Sequence, residues 1–176
     1  IPFGHEKQEV PQLEEQIVLK KLKPFLEQTK DKIIGQNIKF DRNILARYGI
    51  NINSIKNDTM MMSYVLDASA TRHNLDALSS YYLNHKTSTF EEVAGKGAKQ
   101  VTFDKVPLDL ATNYAAEDAD ITLRLYQVLE PKLNSIKSLK KLMEEIEIPL
   151  IEVLSDMEQN GTLLNSKILA SQSKDL

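Results

Sequence analysis

Lys32-Ile33-Ile34-Gly35-Gln36-Asn37-Ile38-Lys39-Phe40-Asp41 changes character within one short span. Lys32 to Gly35 reads as a short buried strand. Gly35-Gln36-Asn37 then turns into a helix running from about Phe40 to Tyr48 and stopped by Gly49. A strand that feeds directly into a helix is the signature of an α/β fold. Ile50-Asn51-Ile52 is extended and leads to a second strand near Ile55, after which Asp58 or Thr59 caps a helix through about Leu66. Asp41 thus sits early in a helix just beyond a strand end, where sites in such sheets gather. The same carboxylate can equally serve the helix N-terminus and its dipole.

Working outward, residues 1–10 read as a loop or the tail of a strand. Pro11 fits the first turn of a helix to about Thr29, with Leu13, Ile17, Leu22, Phe25 and Leu26 on its apolar face and a kink or break at Pro24. Downstream, Asn74 caps a helix through Leu83, and residues 86–107 are loop-rich, with Gly95, Gly97 and Pro107, a composition compatible with mobility. A long helix follows from about Leu108 to Leu133. A second runs from about Leu139 to Asn160, bent at Pro149 and ended by Gly161, and residues 166–176 begin another. Two or three short strands are thin for a self-contained sheet. The expected class is therefore α/β, helix-rich, with an incomplete sheet.

The chain has 176 residues, 41% apolar and 27% charged, the balance of a soluble globular protein, with a net charge of −3. That charge argues against a generic basic nucleic-acid coat, but not against an enzyme that meets DNA through divalent metals. The absence of cysteine excludes disulfides, zinc thiolates and thiol catalysis and fits a reducing cytoplasm. No apolar run approaches a membrane span, and Ile1-Pro2-Phe3, followed by His5, Glu6 and Lys7, is no signal peptide. Both ends look cut, which makes a piece of a longer protein the expectation.

The strongest chemical signal is Tyr114-Ala115-Ala116-Glu117-Asp118-Ala119-Asp120. Tyr114 and Asp118 are four apart and share one helix face, so a carboxylate can ligate a hard metal ion while the phenol hydrogen-bonds a water. Alone, such a pair is also an ordinary surface pair. Taken together, Asn37-x-x-Phe40-Asp41 followed by Tyr114-x-x-x-Asp118 resembles the second and third motifs of the DnaQ-like (DEDDy) 3′→5′ exonucleases. The segments 35–50, 58–76, 84–97 and 114–125 are similar to the proofreading exonuclease domain of bacterial family A DNA polymerases. His85-Lys86-Thr87, Thr89-Phe90-Glu91-Glu92 and Gly95-Lys96-Gly97 stand out in that resemblance. Residues 146–165, with Ile148-Pro149-Leu150 and Asn160-Gly161, resemble the entry into a polymerase domain.

The resemblance implies a ribonuclease H-like (DnaQ-like) fold and two Mg²⁺ or Mn²⁺ ions that hydrolyse the 3′-terminal nucleotide of single-stranded DNA. It makes Asp118 a ligand of the first ion, gives Asp41 to the second in part through water, and has Tyr114 orient the attacking water. Gln36, Asn37, Phe40 and Arg72 would contact the DNA strand, and Phe90 would pack on the 3′-terminal bases. The null alternatives are a solvated charge for Arg72 and core packing for Phe90. It also implies primer-template DNA as the parent's partner, a cytoplasmic, nucleoid-associated location, and a division into residues 1–134 (exonuclease) and 135–176 (start of the polymerase).

One part of the pattern is missing. The family's first motif is an Asp-x-Glu on the first strand, expected upstream of Ile1. Asp156-Met157-Glu158 has the spacing but lies within a long helix, where a solvated face is expected, and Glu145-Ile146-Glu147 is a second such decoy. The expectation is half a site, inactive alone. Residues 1–3 would be a strand remnant, and Ile33-Ile34 an exposed edge that invites self-association or rearrangement to a mainly helical structure. Two other readings stand beside this one: a degenerate exonuclease-like domain serving as a structural or DNA-binding module, and an unrelated helical interaction protein.

Overall fold

The computed structural model describes residues 1, 3–6, 11–28 and 33–175. The first helix, α1 (Glu15–Gln28), starts later than expected, leaving Pro11 outside it, and Pro24 does not divide it. Thr29 and Lys32 lie outside the described residues. Only part of the expected apolar face is used. Val18 is buried and Leu22 and Leu26 are half-buried, one helical row, whereas Leu13, Ile17 and Phe25 are exposed. The helix is tied to the segment 49–51 by Lys23 Nζ donating to the Gly49 carbonyl (2.7 Å) and by the Asn51 N–H donating to Glu27 (3.0 Å).

Strand β1 (Ile33–Gly35) leads into α2 (Ile38–Ala46), and β2 (Ile55–Asp58) leads into α3 (Thr59–Leu66). The two strands pair in parallel, with Gly35 opposite Asp58. Both strand-to-helix turns are built on one side chain. Asp58, 1% exposed, accepts from the Ile38 N–H at the start of α2 (2.7 Å) and from the Met60 and Met61 N–H groups of α3 (2.9 and 3.2 Å). Gly35 is required by close approach: a Cβ there would lie 2.6 Å from that of Ile38.

The next helix, α4 (Leu75–Leu78), is capped by Asn74 and widens into a π-turn at Ser79–Leu83. The region expected to be loop-rich holds more structure than its glycines suggest. It contains α5 (Phe90–Ala94), closed by a reciprocal Thr89–Glu92 capping box, and 3₁₀ turns at Gly97–Lys99 and Phe103–Lys105. The long α6 (Leu108–Ser135) follows as expected. The second long helix contains a π-turn just before Pro149. It consists of α7 (Lys137–Leu142), a π-turn at Met143–Glu147 and α8 (Ile148–Asn160). The Ile148 N–H reaches back five residues to Met143, so Pro149 falls in a first helical turn where no N–H is needed. The last helix is α9 (Ser166–Asp175).

Side chains alternate across β1. Ile34 packs with the core under α6, built on Met62, Leu78, Ile121, Leu125, Leu129 and Met143, while Ile33 joins Ile38, Ile52 and Ile151 between α2 and α8. The fold is helix-rich around a small two-stranded parallel sheet. Ile1 and Phe3 are not in a strand, against expectation; the nearby Glu6 N–H donates instead to the Asp104 carbonyl (2.8 Å). Asp156 and Glu158 lie on an exposed face, as expected, and make ion pairs there. Asp156 lies 3.6 Å from the buried Arg42 guanidinium, and Glu158 pairs with Lys39 and Asn43.

Replacing Asp58 by Ala should cost roughly 3 kcal/mol of unfolding free energy, because two helix N-termini lose their acceptor. Guanidinium denaturation measures this; a loss below about 1 kcal/mol would show that Asp58 is not the shared cap.

Candidate active site

The end of β1, the start of α4 and the N-terminal half of α6 enclose a cavity of about 530 Å³. Gln36, Asp41, Asn74, Asp76, Tyr114 and Asp118 line it. Asp41 reaches it because Asp58 starts α2 at Ile38, three residues earlier. Gln36 is held at the rim from both ends of its amide: its Nε2 donates to the His73 carbonyl (2.9 Å) and its Oε1 accepts from Thr59. Tyr114 and Asp118 share one face of α6, with the phenol and the carboxylate near enough to shift each other's protonation.

The electrostatics are those of unneutralised acids. Burial pushes the Asp118 carboxyl above its ordinary 3.8; the Tyr114 hydroxyl opposes the shift, and the charges of Asp76 and Glu117 add to it. Asp41 keeps contact with solvent, yet the protein around its carboxyl raises it too. Its own backbone N–H pulls it down and the Asp58 charge pushes it up. Burial, together with the Asp118 carboxylate, pushes the Tyr114 phenol up to about 12, so it stays protonated and can donate.

Of the other residues singled out in the sequence, Phe90 comes closest to this group. Its ring centroid lies 6.3 Å from that of Tyr114, and both rings flank Phe103. Arg72 is exposed on the loop before His73 and makes no ion pair among the described residues. Phe40 is 62% exposed on α2. Asn37, in a left-handed conformation (φ 56°), lines a separate small apolar cleft with Asp58 and Met61. The sequence assigns no role to Asp76, Glu117 or Phe103, and His85 stands out in it only within the resemblance. Their contacts join segments far apart in the chain, and no local spacing marks them.

A divalent metal suits the chemistry of this cavity in part. Asp41, Asp76 and Asp118 offer hard oxygen donors, and no Lys, Arg or His lines the cavity among the described residues. Yet no three His, Asp or Glu side chains among the described residues stand close enough to share an ion.

Comparison with known proteins fits this picture. Residues 3–134 match the family described as 3′-5′ exonuclease, and the chain belongs to that family. Its relatives include the DNA polymerase I of Pseudomonas aeruginosa, 48% identical over 100% of this chain and 20% of the relative. Others are the DNA polymerase I of Rhizobium leguminosarum (45%, covering 90% of this chain and 15% of the relative) and of Chloroflexus aurantiacus (37%, 96% and 18%). The chain thus spans at most a fifth of the length of these relatives.

A carboxyl raised in the folded state contributes stability below its unfolded value, and that contribution is lost as pH rises through the folded value. Asp118→Asn should therefore melt about 2 °C above the unsubstituted protein at pH 7, with the gap closing as pH falls toward 3.8. Thermal melts across pH test this; a lower melting temperature for the variant at pH 7 would contradict the assigned cost of ionising Asp118.

Proposed function

We propose that the cavity is the part of a 3′→5′ exonuclease site that this chain supplies, acting on the 3′ end of single-stranded DNA. The observation that carries the proposal is the convergence of Asp41 from α2 with Tyr114 and Asp118 from α6 on one cavity beyond a strand end. Asp118 would hold one divalent ion, and Asp41 a second, in part through water. Bound Mg²⁺ or Mn²⁺ supplies a more acidic water and neutralises charge on the phosphodiester. The protonated Tyr114 hydroxyl holds the attacking water in line, since its pKa near 12 keeps the donor in place at neutral pH. Gln36, Asn37, Phe40 and Arg72 contact the strand. Phe90 offers its ring to the terminal base.

The helix-rich body with a small parallel sheet is compatible with a ribonuclease H-like core. In the wider reading, residues 135–176 begin a polymerase domain, which is supported by the family match ending at 134, and the partner is primer-template DNA. Pairing of two copies through the free edge of β1 is the accompanying association. Within these residues Asp-x-Glu occurs only at Asp156-Met157-Glu158, which is engaged by α2. The chain alone should therefore be inactive, its carboxylate set being completed by a strand-borne Asp-x-Glu. The lack of a three-carboxylate cluster among the described residues favours one second reading, a structural or DNA-binding module without cleavage.

Digestion of a 3′-labelled single-stranded oligonucleotide in Mg²⁺ and Mn²⁺ separates the two. Joined to an upstream segment carrying Asp-x-Glu on a strand, the chain should cut. Asp118→Ala should abolish cutting, and Tyr114→Phe should slow it about ten- to a hundredfold. No metal-dependent cutting by the extended protein would leave the module reading.

A further inference from the structure

Residues 85–89 run between α4 and α6 immediately before Phe90, and they are fastened on both sides. Toward α4, the Ser79 hydroxyl donates to the His85 carbonyl (2.9 Å), and the Thr87 hydroxyl, almost fully buried, donates to Asp76 (2.7 Å). Toward α6, a single carboxylate makes the attachment. Glu117 Oε1 lies 3.0 Å from His85 Nε2, and Glu117 Oε2 accepts from the Ser88 N–H at 2.9 Å. The Thr89–Glu92 capping box then sets the first turn of α5, which begins at Phe90. Glu117 neighbours Asp118 in sequence but does not line the cavity among the described residues.

From this geometry we infer that Glu117 is a positioning residue for the 3′-terminal nucleotide. Resting on the exonuclease reading above, the inference is that Glu117 holds the Phe90 ring at a fixed place relative to Tyr114 and Asp118 without touching substrate. The carboxylate facing the scissile phosphate and the ring facing the terminal base are thereby referred to one helix. Misplacing a stacking ring loses the contact it was to make, since an aromatic platform gains its energy only in register with the base.

Charge and reach make different demands on this residue, and two variants separate them. Glu117→Gln keeps an oxygen for the Ser88 N–H and loses the charge; Glu117→Asp keeps the charge beside Asp118 and is too short to bridge both partners. The probe is a single-stranded oligodeoxynucleotide with 2-aminopurine at its 3′ end, titrated in Mg²⁺ against the full chain and followed by fluorescence. Phe90→Ala should weaken end binding about tenfold. Glu117→Asp should weaken it by a similar factor, Glu117→Gln by less than about threefold, and Glu117→Asp with Phe90→Ala no more than Phe90→Ala alone. The inference is overturned if Glu117→Gln is the damaging change and Glu117→Asp the silent one, or if the double variant loses the product of the single losses. If the unsubstituted chain gives the same signal with 2-aminopurine at an internal position as at the 3′ end, the exonuclease reading fails and takes this inference with it.

Discussion

The arrangement depends on one buried carboxylate. Asp58 ends β2 opposite Gly35 of β1, and from there it caps α2 and α3 together. Without it, the two parallel strands and their following helices would be joined by a short ladder, by packing and by the Thr59 hydroxyl on Gly35 and Gln36. The shared cap fixes where α2 begins and hence where Asp41, in its first turn, faces. The cap also has an electrostatic cost. Burial raises the Asp58 carboxyl itself while its N–H partners pull it down, and its charge makes Asp41 harder to ionise. The interaction that builds the turn therefore adds to the uncompensated negative charge at the cavity.

The second fixed part is α6. Ile121, Leu125, Leu129 and Leu133 form a fully or almost fully buried row at four-residue spacing, which locks the helix against α3, α4 and the π-turn before α8. Tyr114, Glu117 and Asp118 project from the less buried N-terminal half of the same rod. Across the molecule, the buried Arg42 guanidinium donates to the Ile52 carbonyl (3.0 Å), Ser155 (3.2 Å) and Glu152 (3.3 Å), joining α2 to α8. A buried guanidinium persists only when its donors are used, and here they are. Two of the three helices that present carboxylates to the cavity, α2 and α6, are thus anchored at positions remote from it.

What the sequence revealed followed from local rules. The turn at Gly35-Gln36-Asn37, the caps at Asp58 and Asn74, and the Tyr114–Asp118 face are each decided within a few residues, and each appears as read. Thr89-x-x-Glu92 was equally local, but the glycines around it drew the reading toward loop. What stayed hidden was nonlocal. Glu117 with His85, Thr87 with Asp76, and Phe103 with Tyr114 meet only once α4, α5 and α6 are packed. The exposed Leu13, Ile17 and Phe25 show the reverse error, since an apolar row on a helix indicates burial only where something covers it.

The charge pattern explains how an acidic protein can address a polyanion. A phosphodiester approaching Asp41, Asp76 and Asp118 meets like charge in a partly buried setting where screening is weak. Each of the raised carboxyls, Asp41 and Asp118, is ionised against its surroundings. Such a cavity gains on both counts from a divalent cation, which relieves the repulsion among the acids and reverses the sign of the field that the phosphate meets. Under the proposed function, contacts to the strand can then remain few, and the ion strengthens binding at the reacting end against the repulsion that a net charge of −3 implies.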